Sequence, residues 1–175
     1  MRWEALFGDL QSQYEAAARV EDDGLVVELA EAEIGGVRLC DRLRARLGAA
    51  VTLRLRGGTD VRGQVLDVAP QWVLLGAGEG RTLVPLTAVA LAWPLGAAAP
   101  QAGVVEQRLR VTHVLRALAR EGARVRVACD AGGYAGWLIR VGADHLDLRT
   151  DPDAGRVAEE VVSLALASVL TVSAP

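Results

Sequence analysis

Val37-Arg38-Leu39-Cys40-Asp41-Arg42-Leu43-Arg44-Ala45-Arg46-Leu47-Gly48-Ala49 returns 74 residues later as Val111-Thr112-His113-Val114-Leu115-Arg116-Ala117-Leu118-Ala119-Arg120-Glu121-Gly122-Ala123. Six pairs are identical: Val37/Val111, Arg42/Arg116, Ala45/Ala119, Arg46/Arg120, Gly48/Gly122 and Ala49/Ala123. Self-similarity at a fixed spacing marks a repeated structural unit. The match continues with Val51-Thr52-Leu53-Arg54-Leu55 over Val125-Arg126-Val127-Ala128-Cys129, and both segments place an apolar residue at every second position. That period of two is what a half-buried strand requires.

Beyond this point the spacing shortens to 73: Gly63 falls on Gly136, and Val65–Leu75 falls on Leu138–Leu148. Two last short strands are predicted in each copy, Thr82–Leu86 with Val89–Trp93 and Val161–Leu166 with Val169–Val172. Turn chemistry separates them at Gly57–Asp60, Ala69-Pro70 and Gly76–Gly80, then at Ala131–Gly133, Gly142-Ala143 and Asp151–Gly155. Each repeat thus reads as a helix followed by about five short strands. Small strands at this spacing favour a closed barrel, because closure removes exposed edges. The expected class is mainly β with helical extensions, as two tandem five-stranded barrels, each preceded by a helix. The expected divisions are an acidic leader over 1–36, a first barrel with its helix over 37–95, an uncharged Pro/Ala/Gly linker over 96–105, and a second barrel with its helix over 106–175.

Charge follows the same divisions. The chain of 175 residues has 19 basic and 22 acidic side chains, and every basic one is Arg. Residues 1–36 carry two Arg against nine acids, 37–95 eight Arg against four, and 96–175 nine against nine. Half the residues are apolar (51%), which excludes intrinsic disorder. Two cysteines 89 positions apart, Cys40 and Cys129, exclude a disulfide scaffold and read as buried free thiols of a cytoplasmic protein. The opening residues show no charged stretch leading into an apolar run, so no signal peptide is expected. No stretch has the length and apolarity of a membrane span.

The leader carries Trp3, Leu6, Phe7, Leu10, Tyr14 and Ala17 on one stripe of a 3.6-residue period. The stripe suits either the protein's own core or a partner-binding or dimerising helix, for which Trp3, Leu6, Phe7 and Leu10 are the candidates.

Val61-Arg62-Gly63-Gln64-Val65-Leu66-Asp67-Val68-Ala69-Pro70-Gln71-Trp72-Val73-Leu74-Leu75 opens with a hydrophobic-x-Gly-x-hydrophobic pattern and closes in aliphatics. Together with the preceding helix it resembles the first signature of the Sm-like small barrels, the bacterial Hfq type included, and SH3-like barrels share much of the pattern. The resemblance covers about 37–93 and 106–172. It implies the fold and, as an expectation, RNA binding. It does not extend to the family's uridine pocket: Ala69 and Gly142 stand where Sm proteins carry an Asp, Gln71 and Asp144 near the usual Asn or stacking aromatic, and Pro85-Leu86-Thr87 and Ser163-Leu164-Ala165 replace the second signature. The layout also resembles actinobacterial proteins with a W-x-x-L-F-x-D-L start (Trp3, Leu6, Phe7, Asp9, Leu10) that share Asp41-Arg42-Leu43-Arg44 and carry the label of Fis-type transcriptional regulators. The helix near 106–121 has no partner helix and tight turn of the kind a major-groove reader needs.

Arg38, Arg42 and Arg46 stand at i, i+4 and i+8, predicting one basic helix face, and Arg116, Arg120 and Arg124 repeat the arrangement. Arg54 and Arg56 add two cations on the solvent side of a strand. Such rows can neutralise consecutive phosphates, although an ordinary solvated face has the same pattern. Among the aromatics, Tyr134 is a candidate for exposure, while Trp72 and Trp137 are expected to pack in the core. His145 and Asp147 share a strand face, but no third ligand follows at metal-binding spacing. Gly76–Gly80 joins two strands and does not open a helix, so it reads as a hairpin turn and not a phosphate loop. Neither catalysis nor a cofactor is expected. The sequence favours a non-enzymatic regulator that binds nucleic acid, RNA before DNA, through Arg38, Arg42, Arg46, Arg54, Arg56, Arg116 and Arg120. The alternative is a protein-interaction scaffold, self-association included, that uses barrel edges and the leader stripe.

Overall fold

The computed structural model describes residues 35–99, 110–151 and 160–174. The leader stripe with Trp3, Leu6, Phe7 and Leu10, and most of the expected linker, lie outside the described residues.

The first repeat forms α1 (Leu39–Arg44), β1 (Ala50–Leu55), β2 (Asp60–Ala69), β3 (Trp72–Ala77), β4 (Gly80–Pro85), a single 3-10 turn (Leu86–Ala88) and β5 (Val89–Trp93). The second forms α2 (Val111–Arg120), β6 (Arg124–Cys129), β7 (Gly132–Val141), β8 (His145–Thr150), β9 (Val161–Ala165), a 3-10 turn (Leu166–Ser168) and β10 (Val169–Ser173). Alternation sets the strands: Val51, Leu53 and Leu55 are buried on β1 while Arg54 faces out, and Val125, Val127 and Cys129 do the same on β6. Both cysteines are free and buried.

The two repeats agree in detail. The Leu86 amide donates to the Gln71 carbonyl at 2.8 Å, as Leu166 does to Asp144 at 2.7 Å. The Arg56 amide donates to Ala88 at 2.9 Å, as Asp130 does to Ser168 at 3.0 Å. The β2–β3 ladder slips between Val65 and Asp67, and the β7–β8 ladder at the matching place, between Leu138 and Arg140. A bulge of this kind bends and twists its strand.

The protein is mainly β, and the ten strands among the described residues make one antiparallel sheet in the order β5-β1-β2-β3-β4-β10-β6-β7-β8-β9. Among the described residues the sheet is not closed, and β5 and β9 are its outermost strands. It is continuous because β4 pairs with β10, Leu83 opposite Val172 and Thr82 opposite Ser173. Two apolar clusters lie along it, and they interlock at this joint. Leu170 of β10 packs with Val51, Leu53, Val65, Val84 and Ala88 of the first repeat. Ala69, Trp72 and Leu83 of the first repeat pack with Leu115, Val127, Leu138 and Leu148 of the second. Arg56 clasps the joint from outside, donating to the Ala167 carbonyl at 2.7 Å and standing 3.5 Å from Asp130.

Candidate nucleic-acid interface

The predicted row of Arg38, Arg42 and Arg46 on one helix face is not formed. α1 is six residues long; Arg38 precedes it and Arg46 follows it. The helix stops early because the chain turns into the sheet there: Gly48 has φ +76° and donates to the Val65 carbonyl at 2.8 Å, and the Val65 amide donates back to Ala49 at 3.0 Å. Arg116 and Arg120 do lie on α2, but Arg124 opens β6 after Gly122 at φ +63°.

Most of these arginines serve the fold. Arg42 donates to the Gly96 carbonyl at 3.0 Å, and Arg46 to the Ala50 carbonyl at 3.3 Å. Arg116 donates to the carbonyls of Val141 at 3.3 Å and Gly142 at 3.1 Å, fastening α2 to the β7 end. Arg54 makes a two-pronged pair with Asp60 at 2.7 and 3.0 Å, and Arg56 is committed to the joint. The Asp60 carboxyl is accordingly held below its ordinary pKa by the Arg54 hydrogen bond. Arg38 and Arg120 remain as exposed cations at the two helices.

The strands supply what the helices do not. Thr52 of β1 lies directly opposite Arg62 of β2 on one side and Trp93 of β5 on the other. Cross-strand partners project from the same face, so Arg62 and Trp93 flank Thr52 there. Arg54 lies 5.6 Å from the centre of the Trp93 ring. In the second repeat Arg124 is the cross-strand partner of Trp137 and lies 5.8 Å from that ring. Arg126, two residues on, is exposed on the same face. Trp93 and Trp137 each keep 38% of their surface accessible. Beside Trp137 an open groove of about 500 Å³ is bounded by Ala119, Gly122, Ile139 and Arg149.

Trp72 is buried, as the sequence predicts, but Trp137 is not. Gly136 and Leu138 on either side of it face inward, so alternation turns the indole out. Tyr134 is half-buried against the second cluster. Arg62 and Arg126 were missed as candidates because each sits singly on a strand, and a single Arg in a chain rich in Arg carries no signal; the cue is that each has apolar inward neighbours.

His145 and Asp147 both lie on β8 and each has hydrogen-bond partners of its own. His145 Nδ1 lies 2.9 Å from Asp144, while Asp147 is buried and accepts from Ser163 Oγ and from Arg140 Nε, both at 2.7 Å. Those two hydrogen bonds, Ser163 first, hold the Asp147 carboxyl below its ordinary pKa. Burial pushes the Cys40 thiol up, with neighbouring Asp41 adding to it, and a raised thiol is poorly nucleophilic at neutral pH. Among the described residues no group of three His, Cys, Asp or Glu converges to hold a metal. Gly78-Glu79 forms a hairpin tip between β3 and β4.

Against known proteins, no family model matches the chain, and no curated protein matches it. No described helix is long and apolar enough to cross a membrane.

Proposed function

We infer that the protein is a non-enzymatic, nucleic-acid-binding regulator whose ligand is single-stranded RNA, and that its two repeats are tandem Sm-like, SH3-like small barrels. The matching bulges in β2 and β7 support the barrel reading, since a bulge bends and twists its strand and so favours curling of a five-strand set over an apolar cluster. One observation carries the ligand: in both repeats an exposed Trp lies against an Arg on a strand face, with a further exposed Arg (Arg62, Arg126) within one or two strand positions. Indole faces stack on unpaired bases and guanidinium groups pair with phosphates, the combination that binds single strands. The interface is Arg62 and Trp93 in one repeat and Arg126 and Trp137 in the other, where Arg54 and Arg124, paired with Asp60 and Asp151, lie against the indoles, with exposed Arg38 and Arg120 as outlying cations. Arg42, Arg46, Arg56 and Arg116 hold the fold together instead.

Fluorescence anisotropy with labelled single-stranded RNA and duplex DNA, at several salt concentrations, tests this. Tighter binding to RNA is expected, weakening steeply with salt. Each of Arg62→Glu and Arg126→Glu should weaken binding and reduce the log–log salt slope by about 0.7 for each phosphate that is no longer neutralised. Trp93→Ala or Trp137→Ala should cost about 1–3 kcal/mol with little change in that slope. No binding at low salt overturns the reading.

A further inference from the structure

Past each helix the two repeats hold their backbones alike but fill one position differently. A glycine of positive φ follows the helix in both, Gly48 at +76° and Gly122 at +63°. The residue after it is tied to the second strand: the Val65 amide donates to the Ala49 carbonyl at 3.0 Å, and the Leu138 amide to the Ala123 carbonyl at 3.2 Å. Just before these donors stand Gln64 in the first repeat and Trp137 in the second. Gln64 turns its amide onto the glycine, Nε2 donating to the Gly48 carbonyl at 2.6 Å. Among the described residues nothing donates to the Gly122 carbonyl. Trp137 instead stands half-open beside the groove that Gly122 helps to bound.

We propose that this groove takes a nucleobase bearing an exocyclic amine, adenine or cytosine, which stacks on Trp137 and donates its amine N–H to the Gly122 carbonyl. It rests on the single-stranded reading above and adds to it the choice of base. The ligand supplies in the second repeat what Gln64 supplies in the first, an N–H donor on a flat conjugated group. Unpaired bases are recognised in this way, by stacking on an aromatic ring and hydrogen bonding along the exposed edge. Uracil carries a carbonyl oxygen where cytosine carries its amine, and an oxygen there would face the Gly122 oxygen.

The rest of the groove agrees with such an occupant. Gly122 lies just beyond the C-terminal end of α2, where the helix dipole is negative and favours a donor over an acceptor. Ala119 and Ile139 on the walls offer the base no polar side-chain atom. Arg149 on the rim has donors only and cannot accept from an amine, so the carbonyl sets the preference. The matching place in the first repeat is filled. Gln64 holds the donor position there, Gly76 replaces Arg149, and Leu66, the counterpart of Ile139, lies so close over Gly76 that an added β-carbon would come within 2.9 Å of it. Trp93 of the first repeat therefore stacks on any base, while Trp137 selects.

Anisotropy of the full chain with labelled oligo(A), and with an oligomer of purine riboside of the same length, isolates the amine, since the two differ in nothing else. Oligo(A) should bind about two- to tenfold tighter, the net worth of one hydrogen bond. Oligo(C) should exceed its pyrimidin-2-one counterpart by a similar factor. Trp137→Gln carries the first repeat's amide into the groove and should erase both ratios. Trp137→Phe keeps a stacking ring beside an open carbonyl and should preserve them. Trp93→Ala should weaken all four oligomers alike and leave the ratios unchanged. Circular dichroism and Tm check that each variant is folded. Equal binding of the amine-bearing and amine-free oligomers by the wild type overturns the proposal and leaves the single-strand reading standing. Ratios that survive Trp137→Gln in a folded variant overturn it too, as does their loss in Trp137→Phe, which would place the selection in the indole itself. If none of the four oligomers binds at low salt, both readings fall.

Discussion

Gly63 and Gly136 occupy the same place in the two repeats, and in both the neighbouring strand leaves no room for a β-carbon. One built on Gly63 would lie 2.7 Å from the Gly76 carbonyl oxygen and 3.1 Å from Leu75 Cβ, and one on Gly136 would press on the Arg149 carbonyl. The obstacle is backbone on a paired strand, which cannot step aside as a side chain could. Gly63→Ala and Gly136→Ala should each lower stability by about 1–3 kcal/mol, as overpacking does, read as a shift in the urea midpoint. A second residue-scale test concerns Asp147, which accepts two hydrogen bonds while buried. Its folded pKa is depressed, against an unfolded value of about 3.9. Its contribution is therefore present above that unfolded value and is lost as pH falls through the folded value. Asp60, held down by Arg54, titrates with the same sign. Asp147→Asn should lower Tm at neutral pH and flatten the fall of Tm with acid below about pH 4. An acid profile identical to wild type would show that the carboxylate does not supply it.

At the scale of elements, what was local in origin was legible in the sequence and what was long-range was not. All ten strands could be read because each alternates or is bounded by turn residues, and the repeat supplied every reading twice. The helices were overextended: a period of four in Arg38, Arg42 and Arg46 looks helical, but the pairing of Gly48 and Ala49 with Val65 ends α1 at Arg44. That pairing joins distant stretches of chain and leaves no trace in the Arg spacing. The candidate interface was half legible. The outward side of Arg54 follows from its strand's alternation, and the fold-holding roles of Arg42, Arg46, Arg56 and Arg116 were hidden because each donates to a carbonyl, which any residue can offer. Trp137 was misplaced because an indole was weighed by its hydrophobicity, whereas its strand position between two inward neighbours decides its direction.

On the scale of the whole molecule, the β4–β10 joint makes two repeats into one body. β10 divides its side chains between two cores: Val169 and Val172 go to the second cluster and Leu170 to the first. The first repeat in turn sends Ala69, Trp72 and Leu83 into the second. Leu170, in the last strand, thus packs with Val51 and Leu53 of the first, so neither core is complete without the other repeat. Stability that rests on shared packing is lost cooperatively. Leu170→Ala should cost about 2–5 kcal/mol, as removal of a buried Leu does, and the loss should appear in the first repeat, where the side chain packs. Amide hydrogen exchange locates it. Protection should fall in β1, β2 and β4 along with β10, under a single thermal transition, because opening the joint uncovers Val84 and Ala88 and with them the first core. If exchange quickens only in β10 while β1 and β2 keep their wild-type protection, the repeats are energetically separate, and the continuous sheet joins two units that fold on their own.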